Sequence, residues 1–529
     1  MKKWYSLIDV FRFPLRVLLI AIILLGTGDF FQNPNILPYI NITNEIFLTI
    51  CKVMEYTGSL LLTSLPLLLV IKILSRRYED SVPAYVGIIA YLLFNIVTMY
   101  ASSTTLPTYC YTSILGIQTA EVSSVVSVGT LKYPLLTGFV GTVFVVWITK
   151  WCYAKSRRRF TYGILAFIDN DTWSFITTLV FTALSAIIVA FAWPYLFGLL
   201  QNLFSFIGSN IYNPANMFVY GFTERILSVL DLQDLIHNTF WLGNLGGSWM
   251  DSFGKSYTGD VGVWTALFSQ NLSTTGYGRF ITPYYIMNIF AIPGLLVGIF
   301  STISDRLTRK RYALFLAIAI IVSAMTGMLW PVELFLVITA PALFLMHSVA
   351  MSSLYAILAS MSVTLGYSYT GTLAYALPGT IVSAIPYLTN VKYLNTLFIL
   401  LIVGIIYFVG YLFMTRSYYF ILSGDFLDRK KNRHYRDQFI QALGGIANVR
   451  IINAAVNKLV VSLYDPSKMD IETIKELGAY RIVETRIGTE IELGPRSVNL
   501  HRGIAKVLKK YLQQQASKPV VSNSDLSKG

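Results

Sequence analysis

Charged side chains are scarce in this chain. Asp, Glu, Lys and Arg make up only 13% of its 529 residues, whereas soluble globular proteins usually carry about 25%. Apolar residues make up 55%, and the mean hydropathy is +0.59. Such a chain must bury apolar surface in lipid, which excludes an ordinary cytosolic enzyme.

Acidic residues are the scarcer of the two charged classes. The 41 Lys and Arg residues exceed the 27 Asp and Glu residues, so the formal net charge is +14. Basic residues of membrane proteins concentrate on cytoplasmic loops. We therefore attribute the positive charge to loops beside the lipid bilayer, and we expect the protein to bind no nucleic acid.

Cysteine is scarce as well. Cys51, Cys110 and Cys152 lie far apart near apolar segments, without the spacing of a Cys-x-x-Cys motif. This distribution favours neither a disulfide framework nor a metal site. We expect no metal and no cofactor.

The charged residues that are present lie mainly after Gly424. This shift in composition predicts a membrane domain over residues 1–424, a basic linker over 425–436 and a small soluble domain over 437–514. The remaining residues, 515–529, are rich in Ser, Lys and Asp and are predicted to be a disordered tail.

Long apolar segments fill the first 424 residues. Because a crossing needs about 20 apolar residues, they predict an all-α membrane domain of about ten helices with re-entrant segments. Proline interrupts several segments, which favours a transporter over a simple anchor; kinked packing helices without a pathway are the alternative. These prolines are Pro66, Pro194, Pro293, Pro331, Pro341 and Pro378.

Two polar features stand out within the apolar segments. Glu333 is the only side chain charged at neutral pH between Ala313 and Asn390. A carboxylate there is unfavourable in hydrocarbon, so it lines a substrate pathway or accepts hydrogen bonds from amides freed near Pro331. The second feature is a sugar site, an ion site or an interfacial segment, and its residues are Glu224, Arg225, Gln233, Asp234 and His237.

Short amphipathic elements after Tyr435 predict a compact α+β domain. Its predicted helices cover residues 434–443, 470–477 and 498–513, and its predicted strands cover 455–464, 480–485 and 489–493. The domain contains no cysteine, so thiol chemistry is excluded there.

Short stretches along the whole chain form an ordered set. In the membrane part they are 64–68 (SLPLL), 191–194 (FAWP), 221–227 (GFTERIL), 240–241 (FW), 259–260 (GD), 278–280 (GRF) and 292–293 (IP). In the soluble part they are 442–445 (ALGG), 470–479 and 494–495 (GP). Taken in this order, they resemble the IIC–IIB sugar permeases of the phosphoenolpyruvate-dependent phosphotransferase system, in their glucose/glucoside branch.

The sequence departs from this family at its reactive positions. Where the IIB domain carries its phosphorylated cysteine, in a pattern like Asp-Ala-Cys-Ile-Thr-Arg-Leu, this chain has Ala455. Phosphoryl transfer needs a thiolate at that position, and a methyl group cannot replace it. The family's Gly-Leu-His-His is DLQD at 231–234, and its Thr-Glu-Pro-Ile-Glu is LWPVE at 329–333, which retains only the second glutamate, Glu333.

The resemblance therefore implies a permease architecture without phosphotransfer by its own IIB domain. Such a protein resembles a protein-phosphohistidine–sugar phosphotransferase but is expected to be catalytically inactive. Phosphate from a IIB domain on another chain is the remaining route, and the changed pocket argues against it. The candidate substrate-binding residues are Arg225, Glu333, Asn95, Gln233, Asp234 and Trp330.

We expect a multi-pass protein of the bacterial plasma membrane that binds a glucose-type sugar or glucoside. Translocation of this sugar across the membrane is a further expectation. By resemblance it is a homodimer with a mobile substrate-carrying half, and its C-terminal domain is cytoplasmic. The alternative is a membrane sugar sensor whose IIB-like domain binds a cytosolic regulator or phosphorelay protein.

Overall fold

The computed structural model describes residues 2–32, 44–77, 81–102, 106–112, 133–157, 168–304, 306–327, 329–367, 378–422, 429–455, 457–485 and 488–516. The chain divides into two compact units. The smaller unit comprises Met1–Ile8, Pro293–Ile320 and Phe408–Gly529, and the larger unit comprises Asp9–Ile292 and Ile321–Tyr407.

Helices dominate the structure before residue 423. In chain order they are α1 (Lys2–Gln32), α2 (Glu45–Thr63), α3 (Leu65–Arg77), α4 (Val82–Ala101), α5 (Gly138–Ser156), α6 (Asn170–Gly208), α7 (Pro214–Val229), α8 (Gln233–His237), α9 (Asp260–Ser269), α10 (Thr282–Ile286), α11 (Ile292–Ser301), α12 (Arg306–Thr326), α13 (Trp330–Thr339), α14 (Pro341–Ser360), α15 (Ile381–Leu388) and α16 (Val391–Ser417).

Within the described residues, seven helices are long and apolar enough to cross a membrane. They are Phe13–Gln32, Glu45–Thr63, Val82–Ala101, Asn170–Gly208, Thr282–Ser301, Pro341–Ser360 and Val391–Ile421. Three further apolar helices are shorter, at Leu65–Ser75, Leu316–Thr326 and Trp330–Thr339. The chain is therefore a largely helical, multi-pass membrane protein, and a total of about ten crossings stays a prediction.

Broken helices and a small hairpin follow α7 in the larger unit. Helix α8 continues into the π-helical turn Asn238–Leu242, and the antiparallel strands β1 (Ser248–Met250) and β2 (Ser256–Thr258) come next. Gly259 then starts α9 with φ +79°, and a Cβ added there would lie 2.3 Å from the Trp241 carbonyl oxygen. Only glycine allows the chain to turn so close to this segment.

The C-terminal part of the smaller unit is an α+β fold. Its antiparallel sheet has the order β3-β4-β6-β5, which leaves β3 at an edge. The elements are α17 (Arg429–Ala442), β3 (Val449–Ala455), β4 (Lys458–Leu463), α18 (Ile471–Glu476), β5 (Arg481–Thr485), β6 (Gly488–Glu492) and α19 (Arg496–Ala516). Helix α19 packs on β3 and β4 over a core that includes Leu443, Leu459, Val461, Ile491 and Ile504.

One strand prediction is wrong at its start. A single strand is predicted over residues 455–464, and β4 covers most of it, but Ala455 belongs to β3, which pairs with β4 as a hairpin with Ala455 opposite Lys458. The polar residues Asn457 and Lys458 interrupt the apolar run only briefly, so the composition did not reveal the turn. The backbone carbonyl of Asn457 instead accepts hydrogen bonds from the N–H groups of Leu493 and Gly494, which holds the turn against the end of β6.

The predicted linker and tail fall only in part on described residues. Residues 425–428 and 517–529 lie outside the described part of the chain. The rest of the predicted linker belongs to α17, and α19 extends to Ala516.

Candidate functional site

Helix α7 of the larger unit places two adjacent charged residues in the protein interior. The helix begins at Pro214, and the Asn213 side chain caps it by accepting a hydrogen bond from the N–H of Ala215. Glu224 and Arg225 lie near the middle of the helix and are 0% and 2% exposed. Burial of charged groups to this extent requires paired partners close by.

Arg225 joins two carboxylates. Its Nη1 donates to Oε1 of Glu333, and its Nη2 lies 3.0 Å from Oε2 of Glu224. Nη2 also donates to the hydroxyl of Tyr284 at 2.8 Å, which in turn donates to Oε1 of Glu224. One guanidinium therefore connects α7, α10 and α13.

Glu333 is held from three sides. It lies in the first turn of α13, two residues after Pro331, and is fully buried. The Ser228 hydroxyl donates to its Oε2 at 2.7 Å, and His347 Nε2 lies 3.2 Å from its Oε1. Together with Arg225 these contacts saturate the carboxylate with hydrogen bonds, as a buried charge requires.

Glu224 has an equivalent set of partners. His237 Nε2, at the end of α8, lies 2.7 Å from Oε1 of Glu224. The Tyr355 hydroxyl on α14 donates to Oε2 at 2.9 Å. Gly221 makes this approach possible, because a Cβ there would lie 2.5 Å from the Tyr355 ring. We refer to Glu224, Arg225, His237, Glu333 and His347 as the charged cluster.

Aromatic rings border the charged cluster. The His237 ring stacks on Trp241 with centroids 3.8 Å apart, and Trp241 Nε1 donates to the Tyr220 hydroxyl at 3.0 Å. The Trp241 ring also meets Tyr284 edge to face. Flat apolar faces beside fixed charges are the usual composition of a small-ligand site.

The structure brings some of the predicted site residues together. Arg225 and Glu333, which are far apart in sequence, form a direct ion pair. Gln233 and Asp234 lie in α8, the short helix that supplies His237. Their placement relative to a substrate stays a prediction.

Asn95 and Trp330 lie apart from these contacts. The Asn95 side chain donates to the carbonyl of Tyr91 in its own helix, α4. Trp330 stacks on Phe139 with centroids 5.8 Å apart and packs against the apolar core beside Leu334. A role in binding for these two residues also stays a prediction.

Sequence reasoning missed four partners of the charged cluster: Ser228, Tyr284, His347 and Tyr355. The sequence did contain an indication for His347. Between Ala313 and Asn390 the titratable side chains are Glu333, His347 and several tyrosines. The other three are hydroxyl residues in apolar segments, where tyrosine and serine are too common to indicate a site.

The turn between α7 and α8 places a non-glycine residue in the left-handed region. Asp231 adopts φ +60°, a left-handed conformation that glycine takes readily and aspartate tolerates. The resembling permeases carry glycine at this position. The backbone of the turn into α8 would therefore also suit a glycine at position 231, although this chain has aspartate there.

The smaller unit holds Ala455 at the end of the edge strand β3. Ala455 is 5% exposed and offers only a methyl group. Its neighbour Ala454 donates its N–H to the Ser304 hydroxyl at 2.7 Å, and the Ser304 N–H donates to the Ala454 carbonyl at 2.9 Å. The segment after α11 therefore covers the edge of β3 next to Ala455.

Three polar atoms at predicted site residues lack partners within the described part of the chain. They are Nε of Arg225, Oε1 of Gln233 and Nε1 of Trp330, all buried. Unsatisfied buried polar atoms are unfavourable, so each of these three atoms is open to a further hydrogen-bond partner. Among the described residues, no set of His, Cys, Asp and Glu side chains converges as a metal site requires.

Comparison with protein families gives a match over most of the larger unit. A family model described as "Phosphotransferase system, EIIC" matches residues 8–352. The match includes every residue of the charged cluster and ends before α15.

Proposed function

The chain belongs to the EIIC family of the phosphotransferase system, and from this premise we propose that it binds a glucose-type sugar at the charged cluster. EIIC proteins are sugar permeases embedded in the membrane. The finer points, a glucose or glucoside substrate and passage across the plasma membrane, are part of the proposal.

The observation that carries the proposal is the buried Arg225–Glu333 pair. Glu333 already has its hydrogen-bond partners, whereas Nε of Arg225 is buried and has no protein acceptor among the described residues. A sugar hydroxyl can accept a hydrogen bond from this Nε and, as a donor, can compete with Arg225 for Glu333. Trp241 and Tyr284 supply apolar faces on which a pyranose ring can stack.

We further propose that the C-terminal domain is a cytoplasmic IIB-like domain that does not transfer phosphate. Position 455 carries alanine, which has no nucleophilic atom. The hydrogen bonds between Ser304 and Ala454 occupy the adjacent strand edge. Sugar then crosses unphosphorylated by this chain. By resemblance, we expect the assembly to be a homodimer.

The first test is sugar binding to the full-length protein in detergent. A panel of glucose, N-acetylglucosamine, maltose and aryl-glucosides is titrated by calorimetry against the wild type, Arg225→Ala and Glu333→Gln. We expect saturable binding that weakens at least about tenfold in both variants, equal to about 1.4 kcal/mol. Arg481→Ala and Glu490→Gln, in the sheet of the smaller unit, are matched controls and should bind as the wild type does.

The test has two contradicting outcomes. Binding that is equal in all variants would place the sugar site elsewhere. No binding of any sugar, together with retention of a cytosolic regulator on the full-length protein, would favour the sensor function instead.

Phosphotransfer is tested separately with a labelled phosphohistidine donor protein. We expect no label on the wild type, because it lacks a reactive residue at position 455. Label on the wild type would show that another side chain carries phosphate and would contradict the proposal. Ala455→Cys is the comparison variant, and its labelling would show that the donor is competent.

A further inference from the structure

The charged cluster contains more negative than positive groups. Glu224 and Glu333 are fully buried and share the single guanidinium of Arg225, which is 2% exposed. A net charge buried inside a membrane protein is unfavourable. One additional proton bound within the cluster would neutralise it.

Each carboxylate of the cluster has a histidine that can carry this proton. His237 Nε2 lies 2.7 Å from Glu224 Oε1, and His347 Nε2 lies 3.2 Å from Glu333 Oε1. Protonation of either imidazole would turn its contact into an ion pair. His347 is fully buried, whereas the His237 side chain is 18% exposed, so the proton has an accessible and an inaccessible position.

The other groups that face the cluster do not supply the missing positive charge. Helices α7, α10 and α14 contribute hydroxyl groups, which are neutral, and α8 contributes a carboxyl group that interacts electrostatically with His237. These residues are Tyr220, Ser228, Tyr284, Tyr355 and Asp234. None of these residues carries a positive charge, so the histidines are the groups beside the carboxylates that can hold a further proton.

We propose that a sugar and a proton bind this cluster together, so that the protein works as a sugar–proton symporter. The proposal rests on the function proposed above. A sugar hydroxyl bound to Arg225 competes with Glu333 for the guanidinium. The carboxylate that loses this partner is then neutralised by a proton on the His347–Glu333 pair. Occupancy by sugar and by proton therefore favour each other.

The smaller unit gives a reason for such coupling. Without a nucleophile at position 455, phosphorylation by this chain cannot trap the sugar after entry. A proton that binds on the outer side with the sugar and leaves with it on the inner side supplies an alternative driving force. The proton is conserved in this cycle, and no further reactant is needed.

The test uses full-length protein in liposomes, with radiolabelled sugar and a pH gradient that is acid outside. Each unit of pH gradient is worth about a tenfold accumulation for one proton per sugar. For the wild type we expect sugar accumulation above the outside concentration and alkalinisation of the medium. His347→Gln keeps a hydrogen-bonding side chain but cannot titrate, and we expect it to lose gradient-driven sugar accumulation, measured relative to its own sugar counterflow at equal pH. His434→Gln, on the exposed surface of α17, is the matched control and should accumulate sugar.

The outcomes separate the two proposals. Saturable counterflow by the wild type with no response to the gradient would overturn symport and leave the sugar permease intact. Accumulation by His347→Gln equal to the wild type would overturn the role of this histidine pair. Absence of saturable binding, counterflow and uptake would overturn both the permease function and the coupling.

Discussion

The two units of this protein differ at the positions to which the proposed function assigns their chemistry. In the larger unit, the residues around Arg225 and Glu333 are charged, buried and connected by hydrogen bonds across five helices. In the smaller unit, β3 ends at Ala455, a methyl group beside a backbone contact to Ser304. The first site is rich in charged and hydroxyl groups, whereas the second ends in a methyl group.

Buried charged groups and apolar cores contribute differently to the stability of a fold. Buried charges do not contribute much to stability on their own, and apolar replacements are often equally stable. We therefore attribute the five titratable groups of the larger unit to the proposed sugar site. The sheet of the smaller unit does not depend on position 455 for its stability, because its apolar core does not involve that residue.

The largest expected effect comes from removal of the central cation. Arg225→Met leaves Glu224 and Glu333 without their common partner, and loss of one member of a buried ion pair typically destabilises a protein by about 3–5 kcal/mol. We expect a lower midpoint of thermal unfolding in detergent and loss of sugar binding. Lys392→Met, which removes an exposed cation of the larger unit, should change stability by less than about 0.5 kcal/mol.

A double variant sharpens this prediction. Arg225→Met combined with Glu333→Gln removes one positive and one negative charge, so it should be more stable than Arg225→Met alone. Glu333→Gln alone completes the cycle, and additive effects of the two substitutions would mean that the two side chains do not interact in the folded protein.

Sequence reasoning recovered more of the secondary structure than of the site. Apolar segments and glycine or proline breaks indicated the long helices, and the strands β5 and β6 lie where turn residues placed them. The pairing of Arg225 with Glu333 could not be predicted, because it depends on how α7 and α13 pack. The partners Tyr284 and Tyr355 were missed for the same reason, since a hydroxyl shows its role only when a carboxylate lies beside it.

The second prediction concerns the close packing that supports the charged cluster. A methyl group in Gly221→Ala would lie 2.5 Å from the Tyr355 ring and 3.0 Å from Ser352 Cα, so α14 must shift and Tyr355 must leave Glu224. Overpacking of this kind costs about 1–3 kcal/mol. Gly198→Ala, a helical position of the same unit with open space around its Cα, should be neutral or slightly stabilising. Equal melting midpoints for the two variants would contradict the packing described here.

The third prediction moves to the smaller unit. Ser304→Ala removes the acceptor of the Ala454 N–H, and an unsatisfied buried donor costs about 1–3 kcal/mol. We expect faster hydrogen exchange of the Ala454 amide, with little change in the rest of the sheet. Ser467→Ala, which removes a hydroxyl bonded to Asp465 on the surface, is the control. Unchanged exchange at Ala454 would show that the segment after α11 does not hold the edge of β3.

The smallest expected effect is a pH dependence that separates the histidines of the two units. His237 and His347 each contact a carboxylate, whereas His501 on α19 donates a hydrogen bond to the Ile452 carbonyl at 3.2 Å. Burial lowers the pKa of His501 below its usual value of 6.5. As pH falls below about 6.5, the unfolded chain binds a proton at this position more readily than the folded chain, so the sheet becomes less stable. In the wild type, hydrogen exchange of the β3 amides should therefore become faster as the pH falls. This acceleration should be smaller in His501→Gln. The control His434→Gln, at an exposed position, should show the same acceleration as the wild type. If amide exchange in His501→Gln accelerates in acid as much as in the wild type, groups other than His501 cause the effect, and the predicted difference between the histidines of the two units is contradicted.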